Sequence, residues 1–130
     1  MRLLVFFLLS LVITANTHAE TLKVVYHINE IEKTQTLMNS IGAILEAKKE
    51  TEIKVVFQGS AIVRLGVDSD MKATIKSFIQ RGVSFGACSI SLINKSLSPS
   101  LLIEGVEIIN DGGVIRILQL QKQGYGYIKI

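Results

Sequence analysis

Gly82-Val83-Ser84-Phe85-Gly86-Ala87-Cys88-Ser89-Ile90-Ser91-Leu92 is the stretch on which the fold turns. After an opening glycine, a short apolar strand over Val83 to Ala87 runs into a helix from Cys88 to about Lys95. Open α/β sheets build their ligand crevices at the carboxyl ends of strands, so this junction is where such a fold places a reactive group. A thiol at a helix start also meets unpaired backbone N–H groups and the positive end of the helix dipole, and both favour thiolate. Cys88 is the single cysteine of the chain, which excludes an intramolecular disulfide. It leaves a free thiol, an intermolecular partner, or an inert small hydrophobe.

Working outward, strand and helix signals alternate. Thr21 to Ile28 is β-rich and largely apolar, as expected of a strand covered on both faces. Asn29 with Glu32 three residues on predicts a capping box. The helix that follows carries a 3.6-residue stripe of Thr34, Leu37, Met38, Ile41, Ile44 and Leu45, in which Met38 reads as core. Glu52 to Phe57 predicts a second strand, and Gln58 to Ala61 a loop after it. Asp68-Ser69-Asp70 offers a cap for a helix through Met71, Ile75, Phe78 and Ile79, stopped by Gly82. Pro99, the only proline, marks a loop. Val106 to Ile109 predicts a fourth strand. A last helix, with Asp111 as cap, runs through Val114, Ile117, Leu118 and Leu120 to Gly124, and Tyr125 to Ile130 a final short strand. Such alternation with short loops predicts an α/β fold, a mainly parallel sheet with helices on both faces. The carboxyl-end loops Gln58-Gly59-Ser60, Cys88-Ser89 and Asn110-Asp111-Gly112 converge toward one crevice, with Gly59, Ser60, Ser89 and Asn110 as ligand-binding candidates.

The amino terminus reads differently. Met1-Arg2 is a short positive start, Leu3 to Ile13 is apolar apart from Ser10, and Thr17-His18-Ala19 fits the small-residue rule of a signal peptidase. Residues 1–19 therefore read as a signal peptide, with an uncleaved anchor as the alternative, and residues 20–130 as one domain. Removing 19 of the 130 residues leaves 111, enough for a single core. Removing Arg2 from the 14 basic residues leaves 13 against 11 acidic ones. That balance, with no basic run, argues against a nucleic-acid partner, and Lys48-Lys49 reads as a solvated helix end. An exported chain of this kind has no membrane partner once cleaved. A periplasmic location follows in a Gram-negative cell.

Nucleotide-binding fingerprints are absent from the sequence. His27 ends the first strand and is the single histidine of residues 20–130. With no Cys/His cluster it reads as structural, and no metal site is expected. Cys–His nucleophilic catalysis requires His27 beside Cys88 in space, with His27 assisting. Asp68 and Asp70 read as caps, not as an acid/base pair.

The carboxyl-terminal half resembles the DsrE/DsrF-like sulfur-relay family. The resemblance lies in Gly82-Val83-Ser84-Phe85-x-Ala87-Cys88, Leu101-Leu102-x-x-Gly105-Val106, and Leu120-Gln121-x-Gln123-Gly124-Tyr125-x-Tyr127-Ile128-Lys129. Looser similarity runs through Val24 to Asn29 and Ile53 to Gly59. The resemblance implies a three-layer α/β/α sandwich with five strands in a flavodoxin-like layout. It also implies homo-oligomers, as trimers or their multiples, and no cofactor. In relay members the cysteine matching Cys88 accepts sulfane sulfur as a persulfide and passes it between a donor and an acceptor protein, so Cys88 becomes the candidate catalytic residue of a sulfurtransferase or carrier. Ser89 and Ser91 are hydroxyl donors toward it. Many relatives carry Asn-Thr where this chain has Ile90-Ser91, and often His where it has Gln58. The other reading is a non-catalytic oligomeric module that binds a small ligand or serves structurally, with Cys88 inert.

Overall fold

The computed structural model of the protein describes residues 21–47 and 50–130. The segment read as a signal peptide, its cleavage point, and Lys48-Lys49 lie outside the described residues. Five strands form one sheet: β1 (Leu22–Ile28), β2 (Thr51–Phe57), β3 (Ser84–Cys88), β4 (Glu107–Ile109) and β5 (Gly126–Lys129). All pairings are parallel, in the order β4-β3-β2-β1-β5. Four α-helices are described: α1 (Thr34–Glu46), α2 (Lys72–Gln80), α3 (Ser89–Asn94) and α4 (Gly113–Lys122).

The strand order accounts for the layers. From β1 to β4 the chain steps always toward the same edge, and right-handed crossovers then keep α1, α2 and α3 on one face. The step from β4 to β5 goes back across the sheet, so the same handedness sends α4 to the other face. Successive strand residues alternate accordingly. Tyr26, Ile28, Val55, Phe57 and Phe85 pack with Leu37, Ile41, Ile75 and Leu92 in the larger core. Val25, Val56 and Ile109 pack with Ile117, Leu120 and Tyr125 of the α4 side in a smaller one.

The three-layer α/β/α architecture is as the sequence predicts, with strand ends shifted by a residue or two. The helix starts differ. Asn29 makes no capping box: the chain enters α1 through a 3-10 turn, Ile31–Lys33, and the Thr34 hydroxyl donates to the Ile31 carbonyl at 2.6 Å. Ser69, not the aspartates, supports the start of α2, its hydroxyl accepting from the Met71 N–H at 3.1 Å. Asp70 is drawn away to Arg64, and Asp111 leaves α4 uncapped and leans toward Arg116. The loop expected after β2 is a 3-10 helix, Gly59–Leu65, whose Ala61, Ile62 and Leu65 are buried in the larger core. Glycine stops α2 and α4 as read: at the second, the Tyr125 N–H returns to the Leu120 carbonyl beyond Gly124.

Candidate functional site

The loops after β1, β2 and β3 turn toward one face and the loop after β4 toward the other. β3 and β4 therefore flank a topological switch point, the place where open α/β sheets bind ligands. Cys88 is the last residue of β3 and sits at that point. Its register partner Ile109 lies in the smaller core, so the sulfur faces the α4 side of the sheet. Cys88 is only 2% exposed.

What surrounds the sulfur is a set of donors. Burial pushes the Cys88 thiol up. The backbone N–H groups of Ser91, Gly113 and Ile90 and the Ser91 hydroxyl more than reverse this, and hold the thiol below its ordinary value. Gln58 adds an amide N–H at 3.8 Å from Sγ. Ser91 Oγ in turn accepts from the Gly59 N–H at 3.0 Å, which leaves its own proton for the sulfur.

Two glycines make this crowding feasible. Gly59 has φ +54°, and a Cβ there would stand 2.6 Å from the Asn29 carbonyl oxygen, so the turn that aims its N–H at Ser91 needs glycine. A Cβ at Gly113 would stand 2.6 Å from Gln58 Cδ, so a side chain there would displace Gln58 from the sulfur.

Gln58 also reaches the other way. Its Oε1 lies 2.6 Å from His27 Nε2, and His27 Nδ1 lies 2.8 Å from the Tyr127 hydroxyl. Burial, and secondarily the positive charge of Lys129, keep His27 below the ordinary imidazole value against the opposing bond from Gln58. His27 and Cys88 thus end strands either side of β2, and Gln58 stands between them. His27 makes its bond to the amide and not to the sulfur, so the Cys–His nucleophile arrangement that requires direct contact is not formed. Beside His27, between α4 and β5, opens a shallow cavity of about 220 Å³ walled by Val114, Ile117 and Leu118.

The other sequence candidates point elsewhere. The Ser60 hydroxyl accepts from the Ile31 N–H and donates to the Asn29 carbonyl, bracing the β1 loop. Ser89 donates to the Asn110 carbonyl at 3.4 Å, and both line a separate cavity of about 460 Å³ on the α3–β4 side, with Leu92, Ile93 and Ile108. Of the five crevice and assisting candidates, Gly59 reaches Cys88 through Ser91 and His27 through Gln58. Sequence reasoning placed Gln58 in the loop after β2, at the position where many relatives carry His, without giving it a partner, and placed Tyr127 in the last strand without a role. The available signal was a polar residue with both donor and acceptor directly after an apolar strand that neighbours the cysteine strand. Among the described residues no group of three His, Cys, Asp or Glu could hold a metal ion, and no helix is long and apolar enough to cross a membrane.

Comparison with solved structures finds the same architecture elsewhere. The protein of unknown function MTH1491 from Methanobacterium thermoautotrophicum is similar with a TM-score of 0.78 at 26% identity, over 84% of this chain and 99% of that one. The protein of unknown function BT1422 from Bacteroides thetaiotaomicron gives 0.66 at 17% identity, over 83% and 94%. The ychN protein of E. coli gives 0.65 at 16%, over 85% and 100%. At those last two identities the likeness shows the fold alone. No curated protein matches the chain. The model of the DsrE/DsrF-like family matches residues 5–130, beginning inside the segment read as a signal peptide, and with the α/β fold and a cysteine at the end of β3 the chain belongs to that family.

Proposed function

We propose that the protein handles sulfane sulfur at Cys88, as an exported member of its family. One observation carries this reading: a buried sulfur ringed by N–H and O–H donors, and held below its ordinary pKa despite burial. Cysteines that merely pack in apolar surroundings are pushed up instead. The donor ring suits a sulfur anion, and a thiolate and a persulfide anion place the same demand on it.

The chemistry needs no cofactor. The Cys88 thiolate attacks the outer sulfur of a donor persulfide; the Cys88 S–S bond forms, the donor S–S bond breaks, and the donor leaves as its thiolate. An acceptor thiolate then attacks the outer sulfur of Cys88–S–SH, carries it away as its own persulfide, and regenerates the Cys88 thiolate. With thiosulfate as donor, sulfite leaves in the first step. Intact mass measured after exposure to thiosulfate or polysulfide tests the reading. A gain of one sulfur atom, reversed by reductant and lost in Cys88→Ser, is expected. No gain under any donor rules it out.

The 2% exposure of Cys88 favours the other reading, a non-catalytic module with a packed thiol. The pH dependence of iodoacetamide labelling separates the two. The sulfur reading expects labelling of the folded protein with a midpoint below the free thiol value of about 8.5. The packed reading expects none before denaturation.

Export and assembly complete the proposal. Sequencing of the mature protein is expected to begin at Glu20. The outer side of α4 exposes Val114, Ile115 and Leu118, and β5 exposes Tyr127 and Ile128, an apolar surface suited to a second copy of this chain. Light scattering is expected to show a homo-oligomer, a trimer or its multiple, and a monomer at micromolar concentration rules that out.

A further inference from the structure

We propose that Gln58 is a positioning residue that ties the tautomer of His27 to the ionisation state of Cys88. The inference deepens the reading of Cys88 as a sulfur that works as an anion, and rests on it for its use. It is measured without any sulfur donor.

The argument is one of donors and acceptors in a row. A primary amide has one accepting end and one donating end, and Gln58 is engaged at both. A thiolate can only accept. Facing it, Gln58 must present Nε2–H, as it does at 3.8 Å. That turns Oε1 toward His27 Nε2, 2.6 Å away, and an accepting oxygen requires the imidazole proton to sit on Nε2. Nδ1 is then the acceptor, and the Tyr127 hydroxyl at 2.8 Å donates to it. Every bond from Tyr127 to the sulfur points the same way, and no group is left unmatched.

A neutral thiol reverses the row. A thiol sulfur accepts more weakly than a thiolate and its S–H can donate, so the favoured row has the amide oxygen turned to the sulfur and the NH2 group to His27. His27 Nε2 must now accept, the proton moves to Nδ1, and Nδ1–H donates to the Tyr127 oxygen. An amide turned over with the imidazole unchanged sets donor against donor at His27, and a tautomer changed without the amide sets acceptor against acceptor. Unpaired polar groups at a partly buried site are costly, so the two changes go together.

The surroundings keep other protons out of the exchange. Burial first, and then the positive charge of Lys129 on β5, disfavour the imidazolium form of His27. Tyr127 is the second titratable group at His27. From α4 the cavity wall is Val114, Ile117, Leu118 and Gln121, none of which titrates. On the sulfur side the remaining donors are backbone N–H groups and the Ser91 hydroxyl. Of the three titratable groups in the row, Cys88 is the one that Gln58 faces with its donating end, and its ionisation is taken to set the direction.

The test is nitrogen NMR of His27 in uniformly labelled full chain, assigned against His27→Gln, across the titration of Cys88. Iodoacetamide labelling supplies the thiol midpoint independently. The expected result is a change from the Nδ1–H to the Nε2–H tautomer as the thiol ionises, with the two midpoints equal. Gln58→Met keeps the length of the side chain and removes both ends of the row. In it the tautomer is expected to stop following Cys88, and the thiolate fraction at a pH below the midpoint to fall about tenfold, the equivalent of one pKa unit. Tyr127→Phe keeps the ring, removes the donor to Nδ1 and is expected to lower the Nε2–H population several-fold. A His27 tautomer constant through the Cys88 titration, or one that still follows it in Gln58→Met, overturns the inference. Failure of sulfur uptake with the tautomer still following Cys88 overturns the functional reading alone.

Discussion

The two faces of the sheet are built to different ends. On one, three helices and a 3-10 turn bury Tyr26, Phe57, Phe85 and their neighbours in a continuous apolar layer. On the other, a single helix packs into a cluster of six buried residues, two of them its own, and leaves the strand ends to His27, Gln58 and Cys88. The same strands serve both, because side chains alternate across the pleat. Stability is concentrated on the crowded face, and polar geometry is tolerated on the sparse one. Substitutions should therefore cost stability on the first and change the ionisation of Cys88 on the second.

The sharpest break in that contrast comes from Phe57, fully buried with its ring centroid 6.0 Å from that of Phe85. Phe57→Ala is expected to cost about 3–5 kcal/mol in denaturant unfolding. A cost under about 1 kcal/mol would mean that the crowded face is not the main store of stability. Gly113→Ala is the matching change on the other face. Its methyl drives against the movable end of Gln58, so the stability cost is expected near the low end for overpacking, about 1 kcal/mol. The labelling midpoint of Cys88 is expected to rise, and an unchanged midpoint would leave Gln58 without influence on the sulfur.

Smaller effects sharpen the contrast further. The Tyr125 hydroxyl donates to Glu52, and burial together with that bond and the carboxylate charge pushes it up to about 12. A folded-state value raised above the unfolded one means stability that is whole below about pH 10 and lost as pH rises toward 12. Tyr125→Phe is expected to remove that alkaline loss, and about 0.5–1.5 kcal/mol at neutral pH. His27 gives the smallest effect. Its folded-state value is lowered, so its share of stability is present above about pH 6.5 and is lost as pH falls below it. His27→Gln should flatten this acid slope, and a slope unchanged in the variant would assign it to other groups.

The sequence made one face far more legible than the other. The strand runs at Val24 to Ile28, Ile53 to Phe57 and Phe85 to Ala87, and the stripe Leu37, Met38, Ile41, are periodic apolar patterns that long-range packing reinforces. The position of Cys88 at a strand–helix junction was equally plain. Helix caps were not. Asp70 has Arg64 as a competing partner that no local window reveals, and Ser60 turns to the β1 loop because Gly59 folds back on Asn29. The partners of Gln58, and Tyr127 as a site residue, were illegible for the same reason. Each is ordinary in its own segment, and acquires a role only when β2 lies between β1 and β3 and β5 lies beside β1.

That last neighbour has a consequence for how the molecule comes together in time. His27 and Tyr127 stand 100 residues apart in the chain, and β1 gains β5 only when the crossover from β4 has closed over the sheet. Such distant pairings are slow, because loop entropy is lost before contact energy is gained. β1 to β4 lie in sequence order, each strand beside its predecessor, so the contact of Gln58 with Cys88 spans only 30 residues. Of the contacts in the row, the one between His27 and Tyr127 closes the longest loop.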